Sequence, residues 1–161
     1  VTHEESIVQN LVGKFAYLAG RVQVQRVRRI IGSVDQGQFE EVFTYAQREL
    51  QFSVLCTITG LDEGPTMGFI YQMARADGIV FSLKFSVPKD KPVIQTMTRY
   101  FPPADIYERE LMDLLGAQVE GLGPGNRYPL PDDWPKDEYP LRKDWKAKTA
   151  GTNTEEIKQN A

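Results

Sequence analysis

A chain of 161 residues, 41% hydrophobic and 25% charged, is sized for one ordinary globular domain with a filled core. Its 19 basic residues against 22 acidic ones leave a formal net charge of −3, which argues against a nucleic-acid binder that works through a strong basic field. His3 is the only histidine and Cys56 the only cysteine, so a cysteine-held iron-sulfur cluster and a Cys/His zinc site are both excluded, and a Ser-His-Asp triad would need a histidine at a fraying N-terminus.

No apolar run approaches the roughly 20 residues needed to cross a bilayer, and Val1 to Asn10 is polar rather than signal-like. The expectation is a soluble, cytoplasmic chain. Thr2-His3-Glu4-Glu5 reads as a capping box, followed by Ile7, Leu11, Phe15 and Leu18 with Val8 and Val12, an amphipathic helix ended by Gly20. Val22-Gln23-Val24-Gln25 alternates with period two and predicts a strand. The neighbouring Arg21, Arg26, Arg28 and Arg29 read as a solvated face rather than an anion site.

Phe39, Val42, Phe43, Ala46 and Leu50 share one face at helical spacing. Phe52, Val54, Cys56 and Ile58 then alternate with Ser53, Leu55, Thr57 and Thr59, which predicts a strand with Cys56 turned inward as a structural thiol. Met67, Phe69, Tyr71 and Met73, then Ile79, Phe81, Leu83, Phe85 and Val87, joined around Asp77-Gly78, specify an antiparallel hairpin with an aromatic core face. Pro92 is placed to begin a helix through Val93, Ile94 and Met97. The fold class expected is α+β: a mostly antiparallel sheet with helices packed on one face, plus an extended C-terminal strap.

Residues 1–120 would form the globular domain, 121–145 the strap and 146–161 a polar tail. From Gly121 onward glycine and proline are dense and periodicity is lost, yet Leu122, Tyr128, Leu130, Trp134, Tyr139, Leu141 and Trp145 are large apolar groups without a local core. Such a segment is expected to be ordered by lying on another protein.

Pro103 to Gly116 reads as a short helix with Asp105 as N-cap and Gly116 as its stop. Its apolar stripe is Tyr107, Leu111, Leu114 and Leu115; Glu108 and Glu110 flank the stripe, and Arg109 and Asp113 lie opposite it at i, i+4. A solvated surface helix and a buried or interfacial charge network both fit these residues.

The string Tyr107-Glu108-Arg109-Glu110-Leu111-Met112-Asp113-Leu114-Leu115-Gly116, with Glu120-Gly121 and then Tyr139-Pro140-Leu141-Arg142-Lys143-Asp144-Trp145, resembles the signature of the C subunit (30-kDa type) of respiratory complex I. Tyr100 to Asp105 and Leu130-Pro131-Asp132-Asp133-Trp134 are more similar to the versions in membrane-bound nickel-iron hydrogenases and related ferredoxin-oxidising complexes. Gly121 to Arg127 stands where that family commonly carries Gly-His-Pro and a pair of basic residues; here only Arg127 remains, which favours the hydrogenase branch.

The resemblance implies a structural subunit that binds no cofactor, docked on the cytoplasmic face of the cell membrane. Its partners would be a large catalytic subunit holding a nickel-iron or quinone site and a small iron-sulfur subunit, with no nucleic acid involved. The interface would draw on the signature residues together with Arg127, Trp134 and the strap anchors. The carboxylates of the charged helix could alternatively serve proton delivery to a neighbouring site. Two other classes remain open: a nucleotide enzyme using Gly121 to Gly125 as a phosphate loop, against which Pro124 and Pro129 deny the following helix, and a standalone module binding peptides at the hairpin edge.

Overall fold

In the computed structural model, which describes residues 1–147, the first helix opens on the predicted capping box. The Thr2 hydroxyl accepts from the Glu5 amide at 3.2 Å, and the Glu5 carboxylate accepts the Thr2 amide at 2.7 Å. This helix, α1 (His3–Lys14), ends before Gly20; Phe15 and Leu18 continue its buried face on a single 3₁₀ turn, and Gly20 takes φ +75° at the approach to the first strand.

The remaining elements are β1 (Val22–Arg26), β2 (Arg29–Ser33), α2 (Gln36–Arg48), β3 (Val54–Asp62), β4 (Thr66–Ala74), β5 (Val80–Pro88), β6 (Val93–Gln95), α3 (Ala104–Leu115) and β7 (Gln118–Glu120). Five strands form one sheet in the order β1-β2-β5-β4-β3. Every neighbouring pair is antiparallel except β2 and β5, so the sheet is mixed but mostly antiparallel, with the helices on one side. The fold is α+β.

The hairpin β4–β5 carries the core: Met67, Phe69, Tyr71, Met73, Ile79, Phe81, Leu83, Phe85 and Val87 are all buried, in the register the alternation predicts. Phe39 of α2 packs on Tyr71 at 4.6 Å and Phe85 at 4.5 Å between ring centroids, and Phe43 meets Tyr71 edge-on at 5.7 Å. Tilted and edge-on contacts are the favoured geometries for aromatic rings, so α2 is fixed in rotation as well as position.

Helix α3 is seated on β3 by a missing side chain. A Cβ at Gly60 would stand 2.7 Å from Leu111 Cδ2 and closer still to Leu115 Cδ1. Only glycine lets the helix approach the strand this closely.

Three expectations need correction, and one strand has no counterpart among them. Cys56 does not point into the core: the register of β3 against β4 slips between Leu55 and Thr57, so Leu55 and Ile58 face inward while Cys56 and Val54 are exposed. A bulge inverts the parity of everything on one side of it. Strand β2 went unread, because its short Ile30-Ile31 run gains its pairing from β5, about fifty residues away along the chain. Val93 to Gln95 is a strand, not a helix, paired in parallel with β7. The N-cap of α3 is Pro103, and Asp105 lies in the first turn.

Candidate functional site

The two halves of the signature meet at the C-terminal end of α3, where the strap folds back on its own domain. Arg109 does not pair with Asp113. Its Nε and Nη2 donate to the two oxygens of Asp105 at 3.0 and 2.9 Å, a bidentate pair one turn back, and Nη2 also donates to the Gly123 carbonyl at 2.9 Å. Asp113 is thereby left to the strap. It accepts from Arg127 Nε at 3.0 Å and from the Leu130 amide at 3.1 Å, while Arg127 Nη1 donates to the Trp134 carbonyl at 3.0 Å.

The last carbonyls of a helix have no partner within it. Here the strap supplies them: the Leu141 amide donates to Leu114 O at 3.0 Å, and Arg142 Nε donates to Leu115 O at 2.7 Å. A cation at this end is also favoured by the helix dipole. The Arg142 guanidinium lies 4.7 Å from the centroid of the Tyr139 ring. Gly116, at φ +75°, leaves room for this stack; a Cβ there would stand 2.6 Å from Tyr139 and 2.8 Å from Arg142.

Beyond Arg142 the chain is caught by Asp62, whose side chain is 1% exposed. It accepts from the Lys143 amide at 2.8 Å, Lys89 Nζ at 2.7 Å and the Gly64 amide at 2.9 Å, and Lys89 also reaches Asp144 at 3.1 Å. The Lys89 ammonium holds the Asp62 carboxyl far below the usual carboxylate range, against the opposing effect of burial. The strap is braced internally: Trp134 Nε1 donates to the Glu138 carbonyl at 2.8 Å, and the Trp134 and Trp145 rings lie 6.0 Å apart.

Not every signature residue joins this clasp. Tyr107 donates to the Cys56 carbonyl at 2.9 Å, tying α3 to the bulge of β3. Glu110 and Pro140 are half-buried. Glu108, expected on a flank, is wholly buried on the far side of the helix, accepting from Thr96 Oγ1 at 2.6 Å and the Met97 amide at 2.7 Å. Burial pushes its carboxyl up, and those two bonds pull against that. The charged helix is thus neither a plain solvated face nor one network. It is a bar with one buried carboxylate behind and a fastened strap in front.

Neither Asp62 nor Lys89 is among the residues expected at the site. Asp62 sits in the Gly60-Leu61-Asp62 run and Lys89 in the loop between Pro88 and Pro92, and nothing local links either to residue 143. Among the described residues no group of three or more His, Cys, Asp or Glu could hold a metal ion, and no helix is long and apolar enough to cross a membrane. No helix follows the Gly121 to Gly125 run among the described residues.

Comparison with known proteins bears on the same segment. The family described as respiratory-chain NADH dehydrogenase, 30 Kd subunit, matches residues 33–151. The F(420)H(2) dehydrogenase of Methanosarcina mazei has a C subunit that is 32% identical over 137 residues, covering 81% of this chain and 87% of that one. The membrane-bound hydrogenase subunit beta of Pyrococcus furiosus is 34% identical over 79 residues, 47% of this chain and 46% of its own. Among solved structures, a chain of the membrane-bound sulfane sulfur reductase, an archaeal respiratory membrane complex, superposes with a TM-score of 0.80 at 26% identity, covering 90% of this chain and 86% of that chain.

Proposed function

The chain belongs to the 30 Kd subunit family of respiratory-chain NADH dehydrogenase, and from that membership we propose that it serves its complex as a docking subunit with no cofactor of its own. It is a C-type subunit of a membrane-bound respiratory complex, of hydrogenase-like or complex I-like kind. The finer reading is a ferredoxin-linked, nickel-iron hydrogenase-type complex in which this chain packs against the large catalytic subunit near the small iron-sulfur subunit, on the cytoplasmic face of the membrane.

One observation supports the docking face. Of the eight exposed large hydrophobic residues among those described, six lie on β3, α3 or the strap: Val54, Leu61, Ile106, Met112, Tyr128 and Leu141. Three cations of α3, the strap and the loop after β5 are already paired within the chain, Arg109 with Asp105, Arg127 with Asp113 and Lys89 with Asp62. Exposed apolar side chains on elements whose cations are already paired fit a protein partner better than a nucleic acid.

The test is purification from native membranes in mild detergent, with mass spectrometry and metal analysis of what accompanies the chain. A large partner that holds nickel and iron supports the hydrogenase reading. A lone, metal-free monomer overturns the docking role and leaves the standalone module. A second reading, as the C-type member of a complex I-type dehydrogenase, is favoured by the breadth of the Methanosarcina mazei match, 81% of this chain against 47% for the hydrogenase protein. A flavin- and quinone-reactive assembly in the same purification would select it.

A further inference from the structure

Residues 121–147 form neither helix nor strand, and none of them is buried. The domain beneath is held by a continuous apolar core running from Ile7 to Ala117. The strap is held by discrete polar joints instead, and two of these are carboxylates that each take more than one donor. Asp113 holds Arg127 and the amide of Leu130; Asp62 holds the amide of Lys143 and, through Lys89, Asp144. Between these catches the segment is stiffened by its own contacts, Trp134 to Glu138, Trp134 to Trp145 and Arg142 over Tyr139.

A segment with little buried apolar surface can open at a free energy far below that of global unfolding, and neighbouring contacts that share a brace open together. We propose that residues 121–145 are a latch that opens and closes as one unit on an intact domain, with Asp113 and Asp62 as its two catches. This concerns the chain by itself, and it stands or falls apart from the docking reading.

Hydrogen exchange at residue resolution on the full chain, alone in solution, tests it. The amides of Leu130, Leu141 and Lys143 each donate a bond in the closed latch and report its opening. They should exchange at one common opening free energy, well below that of the β4 and β5 amides. Asp113→Asn should speed exchange at Lys143 as well as at Leu130, and Asp62→Asn should speed Leu130 as well as Lys143. Each effect should be about tenfold, the loss of one charge-assisted bond, with the β4 and β5 amides still the slowest to exchange.

Two results overturn the proposal. If each variant speeds only its own end, the catches are independent contacts. If the strap amides exchange only at the rate of the core, the strap is an integral part of the domain. Arg127→Gln loosens the first catch from its more exposed side, and it decides the matter if Asp113→Asn does not fold.

Discussion

Asp62 and Glu108 are both buried carboxylates, and their surroundings push them in opposite directions. Asp62 is lowered by its bond to Lys89, so its contribution to stability is complete above the ordinary carboxylate range and is lost as the pH falls toward its folded value. In urea titrations the stability gap between the native chain and Asp62→Asn should therefore be widest near neutral pH and narrow on acidification; a gap independent of pH would contradict this. Glu108 is raised chiefly by burial, so it binds its proton more tightly when folded and its net effect is least favourable above its folded value. Glu108→Gln, which keeps an acceptor for the Met97 amide, should match or exceed the native stability at neutral pH and flatten the acid dependence. Glu108→Ala orphans that amide and should cost on the order of 1–3 kcal/mol by urea denaturation.

Glycines decide how the elements sit. Gly116→Ala puts a side chain at φ +75° and into the Tyr139–Arg142 stack; about 1–2 kcal/mol of left-handed strain is expected in the melting curve. It should also change the near-ultraviolet signal of Tyr139 and the two tryptophans as the strap lifts. Gly60→Ala should lift α3 off β3 and cost about 1–3 kcal/mol through overpacking. Legibility at this scale followed the distance over which an element finds its partner. The β4–β5 hairpin was plain because its inward residues alternate across a turn of a few residues. Strands β2 and β6 were not, because three to five residues carry too little pattern and their parallel partners lie far along the chain. Cys56 was misread because the bulge moves the inward parity from Val54 and Cys56 to Leu55. The charged helix and its stop at Gly116 were readable, while the partners of its charges were not: Glu108 is compensated by an irregular turn at Thr96 and Met97, which has no periodic signal.

For the molecule as a whole, the strap has a base on its own domain, where the sequence left bonds within the chain and bonds across an interface both open. Exposed apolar side chains remain on α3 and on the strap, Ile106 and Leu141 among them. Ile106→Asp and Leu141→Asp should abolish co-purification of the chain with its complex while leaving the melting temperature of the free chain unchanged, since both side chains are about half exposed. Loss of solubility of the free chain in the same variants would show instead that these residues support the fold. The bond from the Lys143 amide to Asp62 spans 81 positions of sequence. At a synthesis rate of about 5–20 residues per second, the segment after residue 120 takes on the order of seconds to emerge, whereas the sheet is already complete at Pro88 and α3 at Leu115. Until the strap follows, the carbonyls of Leu114 and Leu115 have no donor from it, so the last turn of α3 is the one part of the helix whose backbone hydrogen bonding waits on that later segment of the chain's synthesis.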